Sequence, residues 1–155
     1  NTTQIPTSLL IIAHGTPGHV QIPRGPREED KMIKVLDLLE KIMEWCPAAG
    51  RSLQHVHFDA CSALQGVTTE DKNRKRALRN LIVTGFDATI DVTPAQALGI
   101  KFMTALSQEV AATSPKQWAD DELSPELLGR ARGRMEATVG AGSPEAAQLA
   151  AFKII

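Results

Sequence analysis

The apolar positions of this chain follow two different periods. Three short strand-like runs stand out: Ser8-Leu9-Leu10-Ile11-Ile12-Ala13 and Leu81-Ile82-Val83-Thr84-Gly85-Phe86, which are nearly continuous, and Leu53 to Cys61, whose apolar residues are interrupted by polar ones. Runs of this length, bounded by turn residues, are the pattern of strands buried on both faces of an α/β sheet. Between them the period becomes helical. Met32, Ile33, Val35, Leu36, Leu39, Ile42, Met43 and Cys46 recur at helix spacing, with Glu28, Glu29 and Asp30 at the start and Pro47 and Gly50 as the stop. Cys46 therefore reads as helix core. Thr68 to Arg79 reads as a capped basic helix, and Pro94 to Gln108 as a helix apolar enough to cover one sheet face.

The punctuation completes the outline. Thr16-Pro17-Gly18 breaks the first run before an edge hairpin piece at Val20 to Ile22, and Pro23, Gly25 and Pro26 make a loop expected beside His14. Thr113-Ser114-Pro115 marks a later break. Beyond it, Ser124-Pro125-Glu126 and Ser143-Pro144-Glu145 each place serine at a helix N-cap, proline at the first helical position and an acid beside the dipole. Two short helices joined by Gly140-Ala141-Gly142 follow, as an accessory hairpin or a partner-binding tail.

The second strand has an unusual face. By alternation His55, His57, Asp59 and Cys61 point one way while Val56, Phe58 and Ala60 point the other. A parallel strand buried on both faces rarely carries so many polar groups on one side. One reading is a polar cluster leading to the thiol. The other places His55 and His57 near the strand start under hydrogen-bonding loops; a metal held by His55, His57 and Cys61 lacks the usual ligand spacing.

The first run ends on His14-Gly15 and the second on Asp59-Ala60-Cys61. Open α/β sheets place their sites at the carboxyl edge of the strands, so a histidine and a cysteine meeting there would pair a thiol nucleophile with an imidazole. A free thiol has a reference pKa of about 8.5, and an adjacent imidazole can accept or stabilise its proton. Gly15, lacking a Cβ, lets a backbone N–H approach a substrate carbonyl and share an oxyanion hole with the N–H of Cys61.

A hydrophobic strand ending in His-Gly, a later one ending in Asp-Ala-Cys, and then the Leu81 to Phe86 strand, the Asp87 to Asp91 loop and the Pro94 to Gln108 helix together cover Ser8 to Val110. In these motifs the chain resembles the caspase-like cysteine peptidases, the group that holds caspases, metacaspases, clostripain, gingipains, separases and CHAT-type domains. The resemblance implies an α/β three-layer sandwich with a mostly parallel sheet plus C-terminal helices. Its peptidase core would be residues 1–112, and residues 113–155 a helical extension of the same domain. It implies a cysteine endopeptidase acting on a protein or peptide substrate, with Cys61 as nucleophile, His14 protonating the leaving amine, and Gly15 and Cys61 holding the oxyanion. It requires no cofactor and no metal.

Asp59 matches a position where metacaspases and clostripain-like enzymes carry an acid that lines the pocket for a basic side chain, which implies cleavage after Arg or Lys. A carboxylate there pairs bidentately with guanidinium. CHAT-type relatives vary at this position, and the other reading of Asp59 is a hydrogen bond to local backbone. Arg74, Lys75 and Arg76 are then candidate self-cleavage positions, against the plainer reading of a solvated helix face. The family usually places two further strands, with a helix between them, before the strand that ends in histidine. The sheet here is expected to lack those first strands, to be completed by a missing segment or a second chain, or to belong to a reduced relative. The competing functional reading is an inactive caspase-like scaffold whose C-terminal helices bind a protein partner. A third is an unrelated α/β domain in which His14 and Cys61 are both structural.

Composition narrows the partners. At 155 residues the chain suits one domain, which at this size buries roughly two thirds of its unfolded surface. Lys and Arg total 17 against 18 Asp and Glu, for a formal net charge of −1, so no electrostatic argument favours nucleic acid or an anionic membrane. No apolar stretch approaches the roughly 20 residues that span a bilayer. The two cysteines, Cys46 and Cys61, give no disulfide framework. A reducing, cytoplasmic location is expected, with a removed leader left open because the chain does not begin with Met.

Overall fold

Helix and strand segments alternate along the chain as the periodicity predicts. The computed structural model describes residues 7–23, 25–26, 29, 31–45, 53–112 and 125–155. In chain order the elements are β1 (Thr7–Ile12), β2 (Gly15–Thr16), β3 (His19–Ile22), β4 (Lys31–Lys34), α1 (Val35–Trp45), β5 (Leu53–Asp59), α2 (Thr69–Arg74), a 3-10 turn (Arg76–Leu78), β6 (Ile82–Phe86), α3 (Val92–Ala112), α4 (Pro125–Ala137), α5 (Pro144–Leu149) and β7 (Phe152–Ile154). The expected roles of Cys46, of the Pro47 to Gly50 stop, of the break at 113–115 and of the Ser124 cap lie outside the described residues.

The main sheet has the order β1-β5-β6-β7, and β2-β3-β4 form a small second sheet. β1 pairs with β5 and β5 with β6 in parallel, while β7 runs antiparallel to β6. The result is an α/β architecture with a mixed, mostly parallel sheet and helices packed against it. β7 was not expected from the sequence. It carries only three residues, and its pairing is extended by reciprocal Val83 and Ile155 backbone bonds of 3.1 and 2.8 Å.

Each face of the sheet has its own apolar cluster. On one side Val56, Phe58 and Val83 pack with Leu38, Leu39 and Ile42 of α1 and with Leu78 of the 3-10 turn. On the other Phe86 and Phe152 pack with Leu98, Phe102 and Leu106 of α3 and with Leu127, Ala131 and Met135 of α4. Glu109 of α3 is buried and bonded to Arg130 and Arg134 of α4, and these guanidinium partners hold its carboxyl below the usual range. The segment from Pro125 to the end is thus packed into the domain through α4 and β7.

Two expectations are corrected. Lys31 to Lys34, read as the opening of the long helix, is strand β4, paired with β3 through His19 and Lys34, Val20 and Ile33, Gln21 and Met32, and Ile22 and Lys31. A few apolar residues fit either period, and here the partner strand decides. The basic helix also stops early: α2 ends at Arg74, Lys75 is extended at φ −91° and ψ 108°, and a separate 3-10 turn follows. Its start is as predicted. Thr68 and Asp71 form a reciprocal capping box, the Thr68 hydroxyl accepting from the Asp71 N–H. Ser143 likewise caps α5, accepting from the Ala146 N–H. No helix among the described residues is long and apolar enough to cross a membrane.

Candidate active site

Parallel pairing of β1 with β5 brings the two sequence motifs to one edge. Ile12 stands opposite Asp59, and the Ala13 N–H continues the ladder to the Asp59 carbonyl at 3.3 Å. His14 and Cys61 follow two residues after this last pair, past the ends of β1 and β5, at the carboxyl edge of the sheet. Ser8, Leu10 and Ile12 lie opposite His55, His57 and Asp59, and the Ser8 hydroxyl bonds the His55 ring at 3.0 Å across that face. His14 is exposed; Cys61 is a free, partly buried thiol.

Gly15 is required by contact. A Cβ built on it would fall 2.2 Å from the Cys61 carbonyl oxygen and 3.1 Å from the Ala60 Cβ. The backbones after β1 and β5 touch here, and no side chain fits between them. Gly15 stands opposite Val20 while the His14 carbonyl accepts from the Gln21 N–H at 2.8 Å. In an antiparallel ladder that makes Gly15 and Val20 a non-hydrogen-bonded pair, so the Gly15 N–H faces away from β3. The Pro17-Gly18 turn then folds back on the cysteine loop. Gly18 has φ +73°, its N–H donates to the Ser62 carbonyl at 3.2 Å, and its own carbonyl accepts from Val35 at 3.0 Å. A groove of about 600 Å³, lined in part by Pro17, Gly18, His19, Gln65, Gly66 and Arg74, runs between these two turns.

The turn after β5 is held from the other side. Ser62 is the one non-glycine among the described residues with positive φ, at 55°. Its N–H donates to the Ala88 carbonyl at 3.0 Å, and the Leu64 N–H donates to the Phe86 carbonyl at 3.0 Å. The Cys61 thiol donates towards the Ile90 carbonyl at 3.7 Å. The loop between β6 and α3 therefore positions the cysteine as directly as β1 does.

The polar face of β5 is a buried seam. His55 and His57 are fully buried, and His55 lies near the start of the sheet opposite Ser8 and Ile82, its partners being strand hydroxyls where one reading of the sequence had loops. The Thr84 hydroxyl of β6 joins them, 2.8 Å from His55 Nε2 and 2.7 Å from His57 Nδ1. A hydroxyl has one proton, so it donates to one of these nitrogens and accepts from the other. Both nitrogens of His55 are thus engaged by hydroxyls. Burial pushes His55 down to about 3, helped by the neighbouring His57, and His57 down to about 4, so both rings are neutral at neutral pH. Sequence reasoning missed Thr84 and Ser8; the one available signal was that a strand with three polar inward groups needs polar neighbours in register.

Asp59 ends this seam. It is 1% exposed, and neither carboxylate oxygen has a hydrogen-bond partner. That overturns the reading in which it only bonds local backbone. Burial raises it to about 6. His57 Nε2 also lacks a partner, its ring lying against Gly99 of α3, where a Cβ would come within 2.3 Å.

Arg74, Lys75 and Arg76 lie at the junction of α2 and the 3-10 turn. Arg74 is exposed and paired with Glu70 and Asp71. Lys75 pairs with Asp37 and Glu40 of α1, which raises its ammonium above the ordinary value. No protein-family model matches the chain, and no curated protein matches it.

Proposed function

We propose that the protein is a cysteine endopeptidase of caspase-like type in which His14 and Cys61 form the catalytic dyad. The observation that carries this reading is the shared edge. The adjacent parallel strands β1 and β5 end two residues before His14 and Cys61, and the Gly15 backbone is pressed against that of the cysteine. Cys61 Sγ attacks the scissile carbonyl, and the tetrahedral oxyanion is held by the N–H groups of Gly15 and Cys61. The proton given up by the thiol passes to His14, which delivers it to the departing amine, leaving a thioester. Water then attacks the thioester carbonyl, the acid is released and the thiol regains its proton.

Asp59 supports a preference for Arg or Lys. A buried carboxyl with two unsatisfied oxygens is costly, and a guanidinium or ammonium arriving beside it offers the missing donors.

The second reading is a caspase-like scaffold without activity. It is favoured by β1, an edge strand with apolar residues on both faces and Ile12 56% exposed, as though a further strand from elsewhere in the protein or from a second chain belonged there. The deciding experiment is intact-mass analysis after incubation with a peptide acyloxymethyl ketone carrying Arg at the position that enters the pocket. The peptidase reading expects an adduct that Cys61→Ala abolishes and His14→Ala weakens. No adduct, from a folded protein whose Cys61 still reacts with iodoacetamide, overturns it in favour of the scaffold.

A further inference from the structure

We infer that Gln148 is a positioning residue for Cys61, acting through the loop between β6 and α3 to hold the thiol turned towards the Ile90 carbonyl. This rests on the reading of Cys61 as nucleophile and concerns its regulation. The loop is fixed at three points. The Asp87 N–H donates to the Ala151 carbonyl at 3.0 Å, the Ala88 carbonyl accepts from Ser62 at 3.0 Å, and the Asp91 N–H donates to the Gln148 side-chain oxygen at 3.0 Å. Ile90, between these anchors, is buried in the cluster facing α3 and turns its carbonyl to the Cys61 thiol.

Only a neutral thiol can donate to that carbonyl. A thiolate in the same place would face the negative end of the C=O dipole. The contact therefore draws the S–H towards Ile90, whereas attack needs the sulfur turned to a substrate carbonyl. Release requires the Asp87 to Asp91 loop to shift. Of the three anchors, Gln148 supplies the one that is a side chain, from a short helix joined directly to β7. The C-terminal segment thus sets how tightly the thiol is held.

The test is the iodoacetamide reaction rate at Cys61, followed by peptide mass spectrometry so that Cys46 is counted separately. Gln148→Met keeps the length and removes the acceptor; Gln148→Glu keeps the acceptor. Gln148→Met is expected to speed alkylation of Cys61 by about threefold to tenfold, the worth of one hydrogen bond, and Gln148→Glu to restore the wild-type rate. Should Gln148→Met fail to fold, Gln148→Asn, whose amide falls one methylene short, makes the same comparison. Equal rates in all folded variants, or equal acceleration by Met and Glu, overturn the inference. Alkylation needs no substrate pocket, so loss of the peptide adduct would strike the peptidase reading alone.

Discussion

Gly15 and Cys61 meet so closely that a single added carbon on the glycine would lie 2.2 Å from the cysteine's carbonyl oxygen. The contact is backbone against backbone, so no side-chain rotation relieves it. Gly15→Ala is expected to force the ends of β1 and β5 apart at a cost of about 1–3 kcal/mol. For a chain of this size that lowers Tm by roughly 2–4 °C per kcal/mol. Thermal denaturation reads it directly, and an unchanged Tm would mean that the two turns have room to spare. Reaction with the Arg-bearing ketone should fall further than stability does, because the same shift moves the proposed oxyanion donors.

Thr84 carries two buried histidines on one hydroxyl. Thr84→Val keeps the shape and strands His55 Nε2 and His57 Nδ1 without partners, at about 1–3 kcal/mol for each unsatisfied group. Thr84→Ser keeps the hydroxyl and loses only a methyl group. Urea denaturation should show a clear gap between the two variants. If valine were tolerated as well as serine, the seam would be held by packing against Phe86, Phe102 and Phe152 instead.

Strands β1 and β5 were legible because β1 is a continuous apolar run and β5 alternates apolar and polar residues, both closed by turn residues, patterns that survive without tertiary information. The elements that depend on a partner were not. Lys31 to Lys34 resembles a helix start until β3 lies beside it, and Phe152 to Ile154 is too short to stand out until β6 supplies a ladder. Within the candidate site, His14, Gly15 and Cys61 were visible as residue types at strand ends. The Ile90 carbonyl and the Gln148 anchor were invisible, because one is a backbone group and the other acts across 57 residues of chain.

Self-cleavage at Arg74, Lys75 or Arg76 is expected to be slow in the folded protein. Lys75 is paired to two acids of α1, and the following 3-10 turn is pinned by Leu78, which is fully buried. A protease needs several extended residues, so the turn must open first. Leu78→Ala loosens that anchor and should accelerate the appearance of fragments, while the double variant with Cys61→Ala should give none. Fragments that persist without Cys61 would assign the cleavage to another protease.

Acid sensitivity should carry the signature of the buried seam. His55 and His57 are held at about 3 and about 4 against an ordinary 6.5, so unfolding lets both take up protons. Their contribution is present above about 6.5 and is lost as pH falls towards their folded values. Asp59 acts in the opposite sense. Held at about 6 against 3.8, its neutral form is favoured by the fold, so its contribution is present below the ordinary carboxylate range and is lost as pH rises through about 6. Between pH 4 and 6 the two histidines and the aspartate partly cancel, leaving these three groups a net uptake of about one proton on unfolding. Stability measured by urea denaturation should therefore rise over this window with a one-proton slope from the seam. Asp59→Asn removes the opposing group and should steepen the slope towards two protons. A slope that does not change would mean that water or a neighbouring donor already satisfies Asp59, and would take away the buried carboxyl on which the basic-residue preference rests.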